Sequence, residues 1–378
     1  MLAKVLSSQR HSLALALEEI KERIEDQMGD PDFILFALHP HYNYEDINHL
    51  VRKVFRTKNY AGFHSLSSFE NDKVISGLVM CFLKFERKGK ASVYVVEDIE
   101  EKGALEKTAE YLNQHSNKLH ILVGGLCGHK LGFFLEELAQ LLKYFPINNI
   151  VGGLSSGYTK GDEVLTYQFM AGKVVKNGFF ILTLDNVEFD LRVALGFKPY
   201  GITYTVRSAK GYRVYTVDDG IKFSYVVKSF LKHIGDDNIK HLWFCPITVL
   251  DDQKGYVATM RTFKDIKEDY VEFFGPIKEG QHFKLSFATE EELLAESRKA
   301  AYEAKRVIKY PDIVFDFSCL ARQYVLGEFQ QREPEIYTNI LDSPLFGFFT
   351  YGEVGPDKLY KKLKFYNQTS LLLSIKEL

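Results

Sequence analysis

The sequence predicts an α+β (mixed α/β) protein built as two packed halves. Three observations lead there. Apolar runs of strand length alternate with amphipathic stretches through the first half, short strands turned at Gly and Pro follow, and the alternation restarts near residue 187. The 378 residues suffice for two or three ordinary domains, and 46% hydrophobic with 26% charged residues suits a globular chain with sizeable cores.

Residues 8–27 predict a helix, because Leu13, Leu17, Ile20 and Ile24 recur at helical spacing and Gly29 can stop it. After the Asp30-Pro31 turn, residues 32–38 read as a buried strand. Ile47, Leu50, Val51, Val54 and Phe55 mark a helix over 45–56. Strands over 74–85 and 91–97 flank Lys88-Gly89-Lys90 and read as a hairpin. A helix over 104–116 and a strand over 119–125, broken at Gly124-Gly125, come next. Phe134, Leu138, Leu141, Leu142 and Phe145 then share one helix face. Ile150-Val151 leads into Gly152-Gly153-Leu154-Ser155-Ser156-Gly157, followed by strands over 163–170 and 173–184 with a turn at Gly172.

The second half predicts strands over 191–197, 201–207 and 212–217 and a helix over 221–233. Strands near 241–245, 255–260, 268–275 and 280–287 follow. Thr289 with Glu292 is a capping box opening a helix to about residue 308. A strand at 313–317, a helix at 333–341 and strands at 345–355 and 363–375 complete the chain. The boundary is placed near 187, giving halves 1–187 and 188–378. No low-complexity linker separates them, so a shared interface is expected, and no sequence repeat signals duplication.

Balanced charge, 48 basic against 50 acidic residues, argues against nucleic acid as a partner, since phosphate binding needs a basic surplus or stripe. Cys81, Cys127, Cys245 and Cys319 are scattered without zinc spacing, so no metal and no disulfide framework is expected. Neither a signal peptide nor an apolar run long enough for a membrane span is seen, which predicts a cytoplasmic protein without membrane contact. No cofactor motif is matched: the glycine clusters after 119–125 and at 152–157 fit neither the P-loop nor the dinucleotide pattern, and tight packing explains them as well as an anion site does. His39-Pro40-His41 lacks a third metal ligand and reads as a surface turn.

The last sixty residues hold the candidate site. Apolar runs there end in a thiol, a cation, an anion or an amide, as when strand ends face a cavity. Arg322 would fork onto a carboxylate, Glu353 would accept from an ammonium, and Asn367 can donate and accept. A structural Arg322–Glu353 bridge is the competing interpretation. Cys319, three residues before Arg322, is either a buried core thiol or, if the protein is an enzyme, a nucleophile, although none of His39, His41, His64, His129, His233 or His282 forms a recognisable base signature with it.

Ser318-Cys319-Leu320-Ala321-Arg322, Gly347-Phe348-Phe349-Thr350-Tyr351-Gly352-Glu353 and Asn367-Gln368-Thr369 together resemble the C-terminal half of the FIST domain (F-box and intracellular signal transduction). Leu195-Gly196-Phe197-Lys198-Pro199-Tyr200-Gly201 resembles the opening of that half. Val151-Gly152-Gly153-Leu154-Ser155-Ser156-Gly157 with Asn177-Gly178-Phe179-Phe180 resembles the end of the N-terminal half. One departure is Gly62-Phe63-His64-Ser65-Leu66-Ser67-Ser68, where the family carries a Gly-Cys-Ser motif. The resemblance implies a sensory module binding a small ligand, an amino acid being one candidate, and acting through a separate output protein because no output segment is recognised. The implied ligand set is Cys319, Arg322, Tyr351, Gly352, Glu353, Asn367, Ser155 and Ser156. The alternatives are an enzyme using Cys319 and a ligand-free interaction scaffold.

Overall fold

In the computed structural model, which describes residues 1–160, 163–234, 239–250, 257–357 and 362–378, one strand-and-helix order occurs three times. The first module contains β1 (Leu2–Ser8), α1 (Leu13–Met28), β2 (Phe33–Leu38), α2 (Ile47–Phe55) and β3 (Tyr60–His64). A hairpin, β4 (Ser68–Glu70) and β5 (Lys73–Ile75), and β6 (Leu78–Lys84) close it. The second contains β7 (Lys90–Val96), α3 (Ala104–Gln114), β8 (Leu119–Gly124), α4 (Leu131–Leu141) and β9 (Ile150–Leu154). An added ribbon, β10 (Tyr158–Lys160) and β11 (Glu163–Leu165), precedes its hairpin, β12 (Gln168–Met170) and β13 (Lys173–Val175), and β14 (Phe179–Asp185).

The third module opens with β15 (Val187–Ala194) and is then interrupted by an insert. The insert holds β16 (Lys198–Lys210), β17 (Arg213–Val217), β18 (Ile221–Lys222), α5 (Phe223–Ile234), β19 (Ile247–Leu250), β20 (Val257–Arg261), β21 (Phe263–Ile266), β22 (Val271–Phe273) and β23 (His282–Phe287). The module resumes with α6 (Glu290–Val307), β24 (Ile313–Cys319), α7 (Leu320–Leu326), α8 (Arg332–Leu341) and β25 (Leu345–Thr350). Its hairpin is β26 (Glu353–Pro356) and β27 (Leu363–Tyr366), and β28 (Ser370–Glu377) ends it. The α+β class is as expected: two modules run to Asp185, and the third, with the insert, begins at Val187.

The hairpins are exchanged cyclically. The three module sheets run β1-β6-β2-β3-β12-β13, β7-β14-β8-β9-β26-β27 and β15-β28-β24-β25-β4-β5. Each module therefore lends its hairpin to another module's sheet, and each sheet has its one parallel pair at the third and fourth positions. This pseudo-threefold closure caps one edge of every sheet with a strand pair from another part of the chain.

Strand alternation explains the core. In β2, Phe33, Leu35 and Ala37 enter a central cluster that also takes Cys81, Val123, Leu182, Phe317 and Phe348 from all three sheets. Ile34, Phe36 and Leu38 point the other way and pack under α1 with Leu17 and Ile20. The Phe63 and Phe348 rings lie 4.3 Å apart across the first and third sheets. The insert has its own core, including Val214, Phe223, Phe263, Phe273 and Phe283.

At the crossing of each parallel pair and its borrowed hairpin sits a glycine. Gly62 lies between Phe36 and Phe169, Gly152 between Leu122 and Val354, and Gly347 between Asp316 and Phe69. A Cβ there would collide with the Phe36 ring, the Leu122 carbonyl oxygen or the Asp316 carbonyl oxygen respectively.

Several expectations need correction. β6 and β7 do not form a hairpin: β6 pairs with β1 and β2, while β7 pairs with β14 in another sheet. The turn at 85–89 carries the chain between modules, a long-range choice that local turn chemistry does not encode. Residues 2–8 form a strand, and the helix starts only at Leu13. The strand expected near 241–245 is largely a 3-10 helix over Ile239–Phe244. The runs 345–355 and 363–375 each break into two strands belonging to different sheets. The strand expected over 255–260 begins partly outside the described residues. The Thr289 capping box is formed, with Glu292 N donating to Thr289 Oγ1 at 3.2 Å and Thr289 N donating to Glu292 Oε2 at 3.0 Å. Among the described residues no helix is long and apolar enough to cross a membrane.

Candidate functional site

The three modules place equivalent polar groups where the parallel strands end. Ser65, Ser155 and Thr350 each lie three residues after the crossing glycine. Ser68, Gln168 and Glu353 hold equivalent register positions on the hairpins, opposite Phe348, Phe63 and Gly153. An equivalent backbone clasp joins the loops: His39 N to Gly77 O at 2.9 Å, Gly125 N to Gly178 O at 3.0 Å and Cys319 N to Thr369 O at 2.9 Å. Of these three hairpin positions the third carries a carboxylate, and Trp243, Thr262 and Phe274 of the insert roof the loops beside it.

That roof makes a hollow of about 30 Å³, lined by Cys319, Leu320 and Ala321 at the end of β24, Thr350 and Tyr351 at the end of β25, Asn367, and Trp243, Thr262 and Phe274 of the insert. Such a space holds about one water molecule. Thr262 is 2% exposed, and its hydroxyl has no hydrogen-bond partner among the described residues. Its backbone N–H reaches Asn367 Oδ1 at 3.4 Å. Trp243 is held by its indole N–H donating to Phe263 O at 2.9 Å and by Gln368 Nε2 donating to its carbonyl at 3.0 Å.

Glu353 stands directly behind the hollow and is fully buried. It accepts from the Thr350 hydroxyl, from Thr369 Oγ1 at 2.7 Å and from Thr369 N at 3.2 Å. Burial pushes its pKa up to about 8 against these hydrogen bonds, so near neutrality the group is largely protonated. Cys319 is 3% exposed, and burial first, then the Glu353 charge, raises its thiol well above the usual range.

Arg322 does not face this hollow. It lies wholly buried beneath α7, with Nε donating to Glu333 Oε1 at 2.7 Å, Nη1 to Leu195 O at 2.9 Å, and Nη2 to Leu293 O and Ser297 Oγ, both at 2.9 Å. The expected Arg322–Glu353 pairing, on a ligand or as a bridge, is therefore replaced by Arg322–Glu333. The cause is helical geometry: Cys319 ends the strand, and Arg322, one turn later, points back toward α6 and α8.

The remaining expected residues divide. Cys319, Tyr351 and Asn367 meet at the hollow. The Tyr351 hydroxyl donates to Gly157 O at 2.9 Å, fixing the ring over the joint with β9. Gly352 accepts from Leu154 N at 2.8 Å and belongs to that joint. Ser155 donates to Gly124 O at 3.0 Å, and Ser156 accepts from Leu66 N and donates to Phe349 O, both at 2.9 Å. Ser156 thus ties the second module to the first and third, Ser155 bonds within the second, and neither lines the hollow. Thr262, Trp243 and Phe274 escaped sequence reasoning because their insert approaches the strand ends only in three dimensions. Thr350 had a readable signal: Gly62-Phe63-His64-Ser65, Gly152-Gly153-Leu154-Ser155 and Gly347-Phe348-Phe349-Thr350 repeat glycine followed three residues later by a hydroxyl.

Two family models match the chain: the FIST N domain over residues 32–220 and the FIST C domain over 226–356. This chain belongs to the FIST family. FIST domains are associated with signal transduction and small-ligand sensing. An "Uncharacterized protein" of Aquifex aeolicus (strain VF5) is 38% identical over 261 residues, covering 66% of this chain and 96% of its own length. The two FIST matches meet between 220 and 226, inside the insert, and the Cys319, Thr350 and Glu353 loops lie within the FIST C match.

Proposed function

We propose that this FIST protein senses a small molecule in the hollow beneath the insert and passes the change to a separate output protein. The unpartnered Thr262 hydroxyl in a hollow walled by two different sheets carries this reading. A ligand head that hydrogen-bonds Thr262 and Asn367 satisfies a buried polar group whose neglect is costly. At about 30 Å³ the hollow has room for little more than water, so this reading requires a larger ligand to displace the insert from the strand ends. That displacement is the signal a partner would read.

The lining also narrows the ligand. A zwitterionic amino acid needs a cation for its carboxylate, and Arg322 is committed to Glu333. Glu353 carries a proton near neutrality and offers no fixed anion. The hollow therefore suits a small uncharged molecule with an apolar body, seated against Trp243, Phe274 and Tyr351, and one hydrogen-bonding head. Against the nucleophile alternative stands the buried, protonated Cys319 thiol.

A thermal-shift screen of neutral metabolites and free amino acids tests this. Neutral compounds are expected to stabilise the protein, and Thr262→Val and Asn367→Ala are expected to abolish the shift while leaving the circular dichroism spectrum intact. A shift that survives both substitutions places the ligand elsewhere, and a screen with no shift favours the scaffold alternative.

A further inference from the structure

A larger cavity lies elsewhere, where the insert meets the second module. It measures about 650 Å³ and is bounded by α4, β27 and the insert strands β19 and β20. Its charges are one-sided. Among the described residues that line it, Lys143, Arg261, Lys278, Lys362 and Lys364 outnumber the carboxylate of Glu136, with the Asp357 carboxylate near Lys364, although the whole chain carries a net charge of −2. Glu136 is already paired with Lys278 at 2.6 Å.

Arg261 is the unusual member. It is 3% exposed, yet no carboxylate pairs with it among the described residues. Its Nε donates to Pro276 O at 2.7 Å, and Nη1 donates to Met260 O, Thr259 Oγ1 and Phe365 O at 2.8, 2.9 and 3.0 Å. Nη2 makes no hydrogen bond among the described residues. A buried guanidinium is normally balanced by an acid, because an isolated charge is expensive to desolvate. Lys364 adds to the crowding: burial, then the Arg261 and Lys362 charges, lowers its pKa.

We propose that this cavity binds a small anion carrying two or more negative charges, with Arg261 Nη2, the guanidinium nitrogen that makes no hydrogen bond among the described residues, donating to it and Lys362 and Lys364 flanking it. The required ligand chemistry is that shared by phosphate groups and polycarboxylates. The site is independent of the neutral-ligand hollow: Arg261 and Thr262 are adjacent, but one lines this cavity and the other lines the hollow.

Calorimetric titration with inorganic pyrophosphate and, separately, citrate, at ionic strength matched with sodium chloride, tests the proposal. At least one of the two is expected to bind, with the tighter arm naming the anion type. The double variant Lys362→Gln/Lys364→Gln is expected to weaken that binding about 10-fold or more. Lys143→Gln/Lys362→Gln, confined to exposed side chains, provides a second variant expected to weaken it about threefold should the first fail to fold. Thr262→Val is expected to leave anion binding unchanged, which separates this result from failure of the hollow. No heat from either anion up to about 10 mM, or undiminished binding by a folded lysine variant, overturns the proposal.

Discussion

Removing the Arg322 guanidinium should unfold part of this protein rather than blunt its ligand response. Arg322 and Glu333 have fully buried side chains 2.7 Å apart. Arg322→Met removes four hydrogen bonds at once. It leaves Glu333 with only the hydroxyls of Ser297 and Ser318, at 2.6 and 2.7 Å, in a sealed interior. Ser297 has one hydroxyl proton to share between Glu333 and the Leu293 carbonyl 3.1 Å away, so that carbonyl also loses a donor. Breaking such a pair from one side costs about 3–5 kcal/mol, and the Leu195 carbonyl, stripped of its side-chain donor, pushes the cost toward the upper end. Urea denaturation reads it, with far-UV circular dichroism for the whole chain and the fluorescence of Trp243 for the insert. In a double-mutant cycle, Arg322→Met with Glu333→Leu should cost less than the sum of the singles, because the second change removes the charge that the first strands. If Arg322→Met is within about 1 kcal/mol of the parent and loses ligand stabilisation instead, the structural assignment is wrong and Arg322 belongs to the ligand site.

Glu353 gives a pH test. Its folded pKa of about 8 exceeds the ordinary 4.5, because burial outweighs its hydrogen bonds. Below the ordinary value both states are protonated, and no pH dependence arises from this group. Between the two values the folded state keeps a proton that the unfolded chain has released, so stability falls as pH rises by up to about 1.4 kcal/mol per pH unit. Glu353→Gln should flatten the stability profile across that window, and an unchanged slope in denaturation series at several pH values would place the proton elsewhere. For Cys319, alkylation with iodoacetamide near neutrality, read by peptide mass spectrometry, should be slower than for the half-buried Cys245, since burial keeps the Cys319 thiol protonated. Preferential labelling of Cys319 would revive the nucleophile alternative.

The sequence by itself determined the alternation of strands and helices, the helix start at Thr289, fully buried strands such as 33–38 and the polar end of the strand at Cys319. These follow from local periodicity, capping chemistry and the position of polar residues at the ends of apolar runs. Tertiary structure alone decided which sheet each strand joins. The hairpins at 68–75, 168–175 and 353–366 look like continuations of their own modules, yet each completes another sheet, because pairing across the pseudo-threefold axis depends on glycines brought together from distant segments. It also decided that Arg322 serves the fold and Thr262 the hollow. Side-chain direction one helical turn past a strand, and the approach of an insert beginning near residue 198, are set by packing that no neighbouring residue in the chain encodes.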